Sequence, residues 1–261
     1  MFRLKAIQFD KVTHLQNIKH MSNLRFLYDF KVNQIIDHTP EIRELILQVT
    51  NQPEFKFRAG QFVMLHVPVE GAAKPALRAY SIASTDEQTN GFKLVFKFVE
   101  NGVASKFVWS LKGQESLTMT GPFGKVFFQE PPTEQVVFLN TGSGISQHFC
   151  FIESKMKQYP NLKYKLYFGV RREDDIYYES ELKRLQKDLP NFEYHYVLSR
   201  AADSWNGKRG YVQNFLAETN YKEIPTTFYL CGNGGMIKET KHQLLEVDGL
   251  DKTRVWAEAF D

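Results

Sequence analysis

Cysteine is nearly missing from these 261 residues: only Cys150 and Cys231 occur, far apart in the chain. With no Cys-x-x-Cys pair, ligand count excludes a thiolate zinc site and a four-cysteine iron–sulfur cluster, so no metal is expected. A disulfide between the two is allowed but nothing demands it, and reduced thiols fit a cytoplasmic protein. Long apolar runs are missing too. No stretch approaches the roughly 18 uninterrupted apolar residues of a membrane-spanning helix. Residues 1–27 form an expected N-terminal extension, read as an extra strand or surface cover. They are basic but lack the apolar centre of a secretory signal. Charge of one sign is scarce: 33 Lys and Arg against 30 Asp and Glu leave a net +3. That is too little for a nucleic-acid binder, yet it leaves room for a basic patch facing an acidic protein. There is no internal repeat and no low-complexity tract.

What is present divides at about residue 130. Aromatic residues make up 14% of the chain, with 22 Phe and 12 Tyr, which suggests a rich core. Over 28–130, FKVNQII, ELILQV, QFVMLHV, FKLVFKFV, SLTM and KVFF are strand-length runs separated by turn residues. Such spacing predicts an antiparallel barrel or sandwich, interrupted by one short helix at GVASKFVWSL. Over 133–261 five strand patterns alternate with helical ones. The first of those helices spaces Ile145, Phe149, Ile152 and Met156 by three and four. This alternation predicts a doubly wound parallel sheet. The tandem prolines 131–132 suit a hinge between the halves.

In the first half, Leu77-Arg78-Ala79-Tyr80-Ser81-Ile-Ala-Ser84 puts four hydrogen-bonding side chains on an otherwise apolar strand. Buried polar groups without partners cost a few kcal/mol each, so these side chains await partners. At Asn101-Gly102-Val103-Ala104-Ser105, the amides opening the short helix suit a phosphate, with the Ser105 hydroxyl donating. On its own, Gly121-Pro-Phe-Gly124 reads as a tight turn.

In the second half, ligands belong beyond the carboxyl ends of the strands, and three such ends stand out. In Thr141-Gly142-Ser143-Gly144 the glycines let backbone approach a phosphate at a helix start. The spacing is not G-x-G-x-x-G, and an ordinary strand-to-helix turn reads equally well. Ser199-Arg200, with Arg209-Gly-Tyr211-Val-Gln213 beyond it, suits a phosphate monoester, the competing reading being a solvated basic loop. Cys231-Gly232-Asn-Gly-Gly-Met236 lets a planar ligand approach the backbone, or simply buries a small thiol. Two phosphate-type sites in two domains imply two nucleotides meeting at an interface.

Together these motifs resemble the ferredoxin–NADP reductase family. The segment from Arg78 to Ser84 resembles its R-x-Y-[ST]-x-x-S flavin motif, Gly102–Ser105 its G-x-x-[ST] motif, and Gly121–Gly124 its G-P-x-G turn. Thr141–Gln147 is similar to G-G-T-G-I-A-P, Cys231–Met236 to C-G-x-x-x-M, and Glu258-Ala-Phe260 to the acidic-x-aromatic ending. The resemblance covers about residues 28–261. It implies a six-stranded antiparallel flavin-binding β-barrel followed by an α/β doubly wound domain. FAD is then held by Arg78, Ala79, Tyr80, Ser81, Ser84, Gly102, Val103, Ala104, Ser105 and Phe260. Arg78 would pair with the cofactor phosphate, Tyr80 lie on the ring and Ser81 sit beside N5. NADP(H) falls to Thr141, Gly142, Ser143, Gly144, Ser199, Arg200, Arg209, Tyr211, Gln213, Cys231, Gly232 and Met236.

The catalytic groups implied by the resemblance are Ser81, Cys231, which places the nicotinamide, and Glu258, which stabilises or relays charge. Three positions depart from the family pattern: Thr141 for a glycine, Gln147 for the proline, and Asp261 after the aromatic. The implied reaction is hydride transfer between NADP(H) and FAD, with single electrons passing between the flavin and a ferredoxin or flavodoxin. Two alternatives share the motifs. One is an NAD(P)H reductase component feeding an oxygenase or reducing free flavin or another small acceptor. The other is a non-turnover flavin-binding subunit, suggested by Thr141 and Gln147. A cytoplasmic monomer is expected.

Overall fold

The structure is a computed structural model and describes residues 27–260. Of the expected N-terminal extension only Leu27 is among them, at the start of the first strand. The first half forms β1 (Leu27–Thr39), β2 (Ile42–Val49), β3 (Phe62–Val67), β4 (Ala76–Ser81), β5 (Gly91–Lys97), helix α1 (Val103–Ser110) and β6 (Ser116–Phe123). The six strands make one sheet in the order β4-β3-β6-β1-β2-β5, every neighbour antiparallel. Its two edges meet: Ile82 bridges Leu94, the Ala83 amide donates to the Lys93 carbonyl at 2.9 Å, and the Lys93 amide donates to Ser84 Oγ at 3.1 Å. Closure removes the open edge that would otherwise invite pairing with another chain. Inside, Phe30 lies 4.7 Å from Phe92 and Phe55 lies 4.8 Å from Tyr28, so the aromatic excess fills the barrel.

Two expectations about the connector change. Lys125–Phe128 (KVFF) is not a strand. Instead Phe128 is buried, stacked on Tyr159 and Tyr229, and the Gln129 amide donates to the Tyr229 hydroxyl at 2.6 Å. The segment before the tandem prolines is therefore anchored to the second half rather than left free to swing.

The second half contains β7 (Gln135–Thr141), α2 (Ile145–Lys155), β8 (Lys163–Val170), α3 (Glu179–Asp188), β9 (Phe192–Leu198), β10 (Lys208–Arg209), β11 (Thr226–Gly232), α4 (Gly234–Lys241) and β12 (Val255–Ala259). The sheet runs β10-β9-β8-β7-β11-β12 and is parallel throughout. It has six strands rather than the expected five, because Lys208–Arg209 adds a two-residue edge. The helix expected at YVQNFLAE is a 3₁₀ helix, Val212–Thr219, and α4 continues into a π-helical stretch, His242–Val247. Alternation along the central strands explains the double winding. Val136 and Phe138 pack under α2 with Phe149 and Ile152, while Val137 and Leu139 face the other way onto Leu216, Met236 and Ile237. The first of these faces is continuous with the barrel core, so the two halves share one apolar cluster.

A buried carboxylate also crosses that junction. Glu44 on β2 is 3% exposed, accepts the Tyr178 hydroxyl proton from the start of α3, and has His38 Nε2 at 3.6 Å. Burial raises the Glu44 carboxyl, but the nearby His38 imidazole and donation from Tyr178 outweigh it and leave the group below its ordinary value of 4.5. A depressed carboxyl stabilises the fold above its unfolded pKa, and that contribution disappears as pH falls through the folded value. Tyr178→Phe is expected to cost about 1–3 kcal/mol, and to cost more at pH 7 than at pH 3. Urea denaturation at the two pH values measures both.

Candidate functional site

The strand order of the parallel sheet reverses beside β7: the chain runs outward to β8 and β9, then returns on the other side with β11. Ligands bind at such switch points, beyond the carboxyl ends of the strands. Here a cleft of about 940 Å³ opens between the two halves. Arg78, Ala79, Tyr80 and Ser81 of β4 line its barrel wall, with Gly102, Val103, Ala104 and Ser105 at the start of α1. From the parallel sheet come Thr141, Gly142, Ser143, Ser199, Tyr211, Gln213, Gly232, Met236 and Phe260. One cavity thus gathers residues spread from 78 to 260.

On the barrel wall Ser81 is 4% exposed and its Oγ has no partner within the protein. A ligand with a hydrogen-bonding edge fits beside it, because an orphaned buried hydroxyl is otherwise costly. Tyr80 packs on Phe96 at 4.3 Å, and burial pushes its phenol up to about 12, so it stays neutral. The Arg78 guanidinium donates to the Leu77 carbonyl at 2.9 Å and remains exposed. Gly102 precedes α1 with no side-chain cap, leaving first-turn amides free for an anion. Ser105 Oγ accepts from the Val99 amide at 2.8 Å, and its own proton remains available to donate.

The opposite wall depends on close backbone approach. Gly232 has φ +126°, and a Cβ there would fall 2.3 Å from Thr141 Oγ1. A Cβ on Gly144 would meet the Cys231 carbonyl oxygen at 2.4 Å. Thr141 Oγ1 accepts the Asn233 amide at 2.8 Å, and Asn233 Oδ1 accepts from the Met236 amide at 3.1 Å to cap α4. Thr141, a departure from the family glycine, therefore ties the two loops together.

Several expected residues lie elsewhere. Ser84 closes the barrel, as described. Gly144, Cys231 and Glu258 sit behind the surface of the cleft: Cys231 is fully buried and paired in register with Glu258. Burial, reinforced by the Glu258 charge, raises the Cys231 thiol well above its ordinary value. Burial likewise raises Glu258, opposed by donation from the Gln147 amide. Arg200 does not line the cleft, and Arg209 donates to the Asp203 and Trp205 carbonyls at 2.9 and 2.7 Å. Conversely, Arg171, Lys97 and Glu239 line the cleft and were not singled out from sequence. Arg171 directly follows β8, so the strand-end rule applied to every strand identifies it; Lys97 and Glu239 carried no motif.

Comparison with known proteins matches the first half, residues 29–128, to the oxidoreductase FAD-binding domain and residues 138–242 to the oxidoreductase NAD-binding domain. Ferredoxin–NADP reductase B of Sorangium cellulosum is 30% identical over 231 residues, spanning 85% of this chain and 93% of that protein. The chain belongs to the ferredoxin–NADP reductase family. A component of the Na(+)-translocating NADH-quinone reductase of Klebsiella pneumoniae is 28% identical, over 77% of this chain and 60% of its own length. The cytochrome P450 reductase GcoB of Amycolatopsis superposes with a TM-score of 0.78 at 23% identity, over 90% of this chain and 69% of that one. The protein is thus an FAD- and NAD(P)-binding oxidoreductase with the fold of this family. Among the described residues no helix is long and apolar enough to cross a membrane.

Thr141→Val keeps the shape and removes the acceptor for the Asn233 amide. It is expected to weaken nicotinamide-nucleotide binding by about fivefold, the worth of one hydrogen bond, with flavin content unchanged. Isothermal titration of the flavin-loaded variant measures the first and absorbance the second.

Proposed function

We propose that the protein transfers hydride between NADP(H) and FAD and exchanges single electrons with a ferredoxin or flavodoxin. The observation that carries this reading is the orphaned Ser81 hydroxyl in a cleft lined by both halves. When bound, FAD supplies the conversion between two-electron hydride chemistry and one-electron transfer. Ser81 donates its hydrogen bond to the edge of the flavin, Tyr80 packs against the ring and Arg78 neutralises phosphate charge. The open amides before α1 and the Ser105 hydroxyl hold the pyrophosphate. Phe260, whose amide donates to the Gly232 carbonyl at 2.9 Å, covers the ring from the nicotinamide side. Gly142 and Gly232 admit the nucleotide backbone, Cys231 supports the nicotinamide from behind, and Ser199, Tyr211 and Arg171 receive its adenosine phosphate. The net +3 charge suits an acidic electron carrier.

Ser81→Ala is expected to slow flavin reduction in stopped-flow by about tenfold to a hundredfold, the loss of a charge-assisted hydrogen bond, with FAD affinity nearly kept. An unchanged rate contradicts the reading.

A second reading takes NADH as the nucleotide. Two observations favour it: Glu239 adds negative charge to the cleft, where it accepts from Gln213 Nε2 at 2.6 Å, and Arg209 is committed to its own loop. The NADPH reading expects Arg171→Ala to lower kcat/KM for NADPH by at least about tenfold more than for NADH. Equal losses favour NADH.

A further inference from the structure

Gln147, which stands where the family pattern has proline, is fully buried on the first turn of α2. Its Nε2 makes two bonds: one to the Glu258 carboxylate, and one to the Gly60 carbonyl on the barrel side at 3.3 Å. The second bond decides the sense of the amide. The group that Gly60 presents to the amide is its carbonyl oxygen, so Nε2, with its two protons, must face it, and the remaining N–H points at Glu258. Gly60 is closely packed: it has φ +97°, and a Cβ there would lie 2.1 Å from the Val126 carbonyl oxygen. The cost of the arrangement is visible at the other end of the amide, where Oε1 is buried without a partner. If Glu258 were protonated on the bonded oxygen, the amide would have to turn over to accept that proton, surrendering the Gly60 bond.

We propose that Gln147 is a positioning residue for Glu258, its amide locked by the Gly60 carbonyl so that it donates to the carboxyl group and never accepts from it. The proposal rests on the reading of Glu258 as a charge-stabilising group in hydride transfer, and it adds the residue that sets its state. The surroundings leave this role to Gln147. From β11 Glu258 faces the Cys231 thiol, and from α2 only the amide. His148, next along α2, is turned to Asn140 and is kept neutral by burial, its value driven down to about 3. Among the described residues no Lys, Arg or His forms an ion pair with Glu258. With Gln147 gone, burial acts on the carboxyl unopposed, and its midpoint moves upward.

The test is a pH titration of the Glu258 carboxyl by carbon-13 NMR on flavin-loaded, glutamate-labelled full-length protein. Glu258→Gln assigns the resonance. Gln147→Met removes the donor at nearly constant volume, and Gln147→Asn, which draws the amide back by one methylene, serves if the methionine variant does not fold. The expected result is a midpoint raised by about one unit. In the flavin-loaded protein the acid limb of the flavin-reduction profile should move by the same amount, while the rate on the alkaline plateau is kept. An unchanged midpoint overturns the proposal. So does an equal rate loss at every pH with no displaced limb and no displaced midpoint. A raised midpoint with an unmoved limb upholds the Gln147–Glu258 coupling and overturns the catalytic reading of Glu258 instead.

Discussion

Strands β7 and β11 lie side by side and parallel, and their carboxyl ends converge until the Asn233 amide reaches Thr141 Oγ1. That approach is possible only because Gly232 and Gly144 carry no Cβ: added ones would fall 2.3 Å from a hydroxyl oxygen and 2.4 Å from a carbonyl oxygen. Much of the site follows from it. The start of α2 and the cap of α4 meet at this one junction. A ligand there meets rigid backbone, which holds reacting groups in place far better than mobile loops do.

The barrel is held to this junction by interactions of two kinds. The apolar cluster runs unbroken from the barrel interior to one face of the parallel sheet, and each fully buried phenylalanine within it contributes about 1.5–3 kcal/mol. Polar ties then select one orientation. Glu44 takes the Tyr178 hydroxyl and Gln147 reaches the Gly60 carbonyl, while within the second half the neighbouring Tyr177 hydroxyl donates to the Gly142 carbonyl at 3.1 Å. Buried polar groups are costly when mispaired, so any other docking of the halves carries a penalty. The cleft keeps its two walls because the halves do not turn freely against each other.

Much of this was legible in the chain. Strand-length apolar runs predict the first sheet and strand patterns alternating with helical ones the second, and all the motif segments but Gly121–Gly124 contribute to one cavity despite lying up to 182 positions apart, from Arg78 to Phe260 (260 − 78). Where expectation and structure part, the deciding partner is one that no motif marks. Ser84 reads as a ligand contact, and in the fold its oxygen accepts the Lys93 amide in barrel closure. KVFF has a strand's composition, yet Phe128 finds its place between Tyr159 and Tyr229 and no ladder forms. Arg209 looks free until the 203–205 carbonyls are seen to hold it. Thr141 and Gln147 read as defects in a glycine-rich motif. In the fold each makes a hydrogen bond to the segment that carries Cys231 or Glu258, and such compensation is invisible without the third dimension.

Hydride transfer requires that this cleft bring a flavin and a nicotinamide together. Anaerobic titration of the purified protein with NADPH, and separately with NADH, tests it most directly through visible flavin absorbance. The expected result is a yellow protein whose absorbance bleaches promptly at about one equivalent of nucleotide, as two-electron chemistry requires. A flavin that stays oxidised with both nucleotides, or a colourless protein that takes up no FAD, would contradict it.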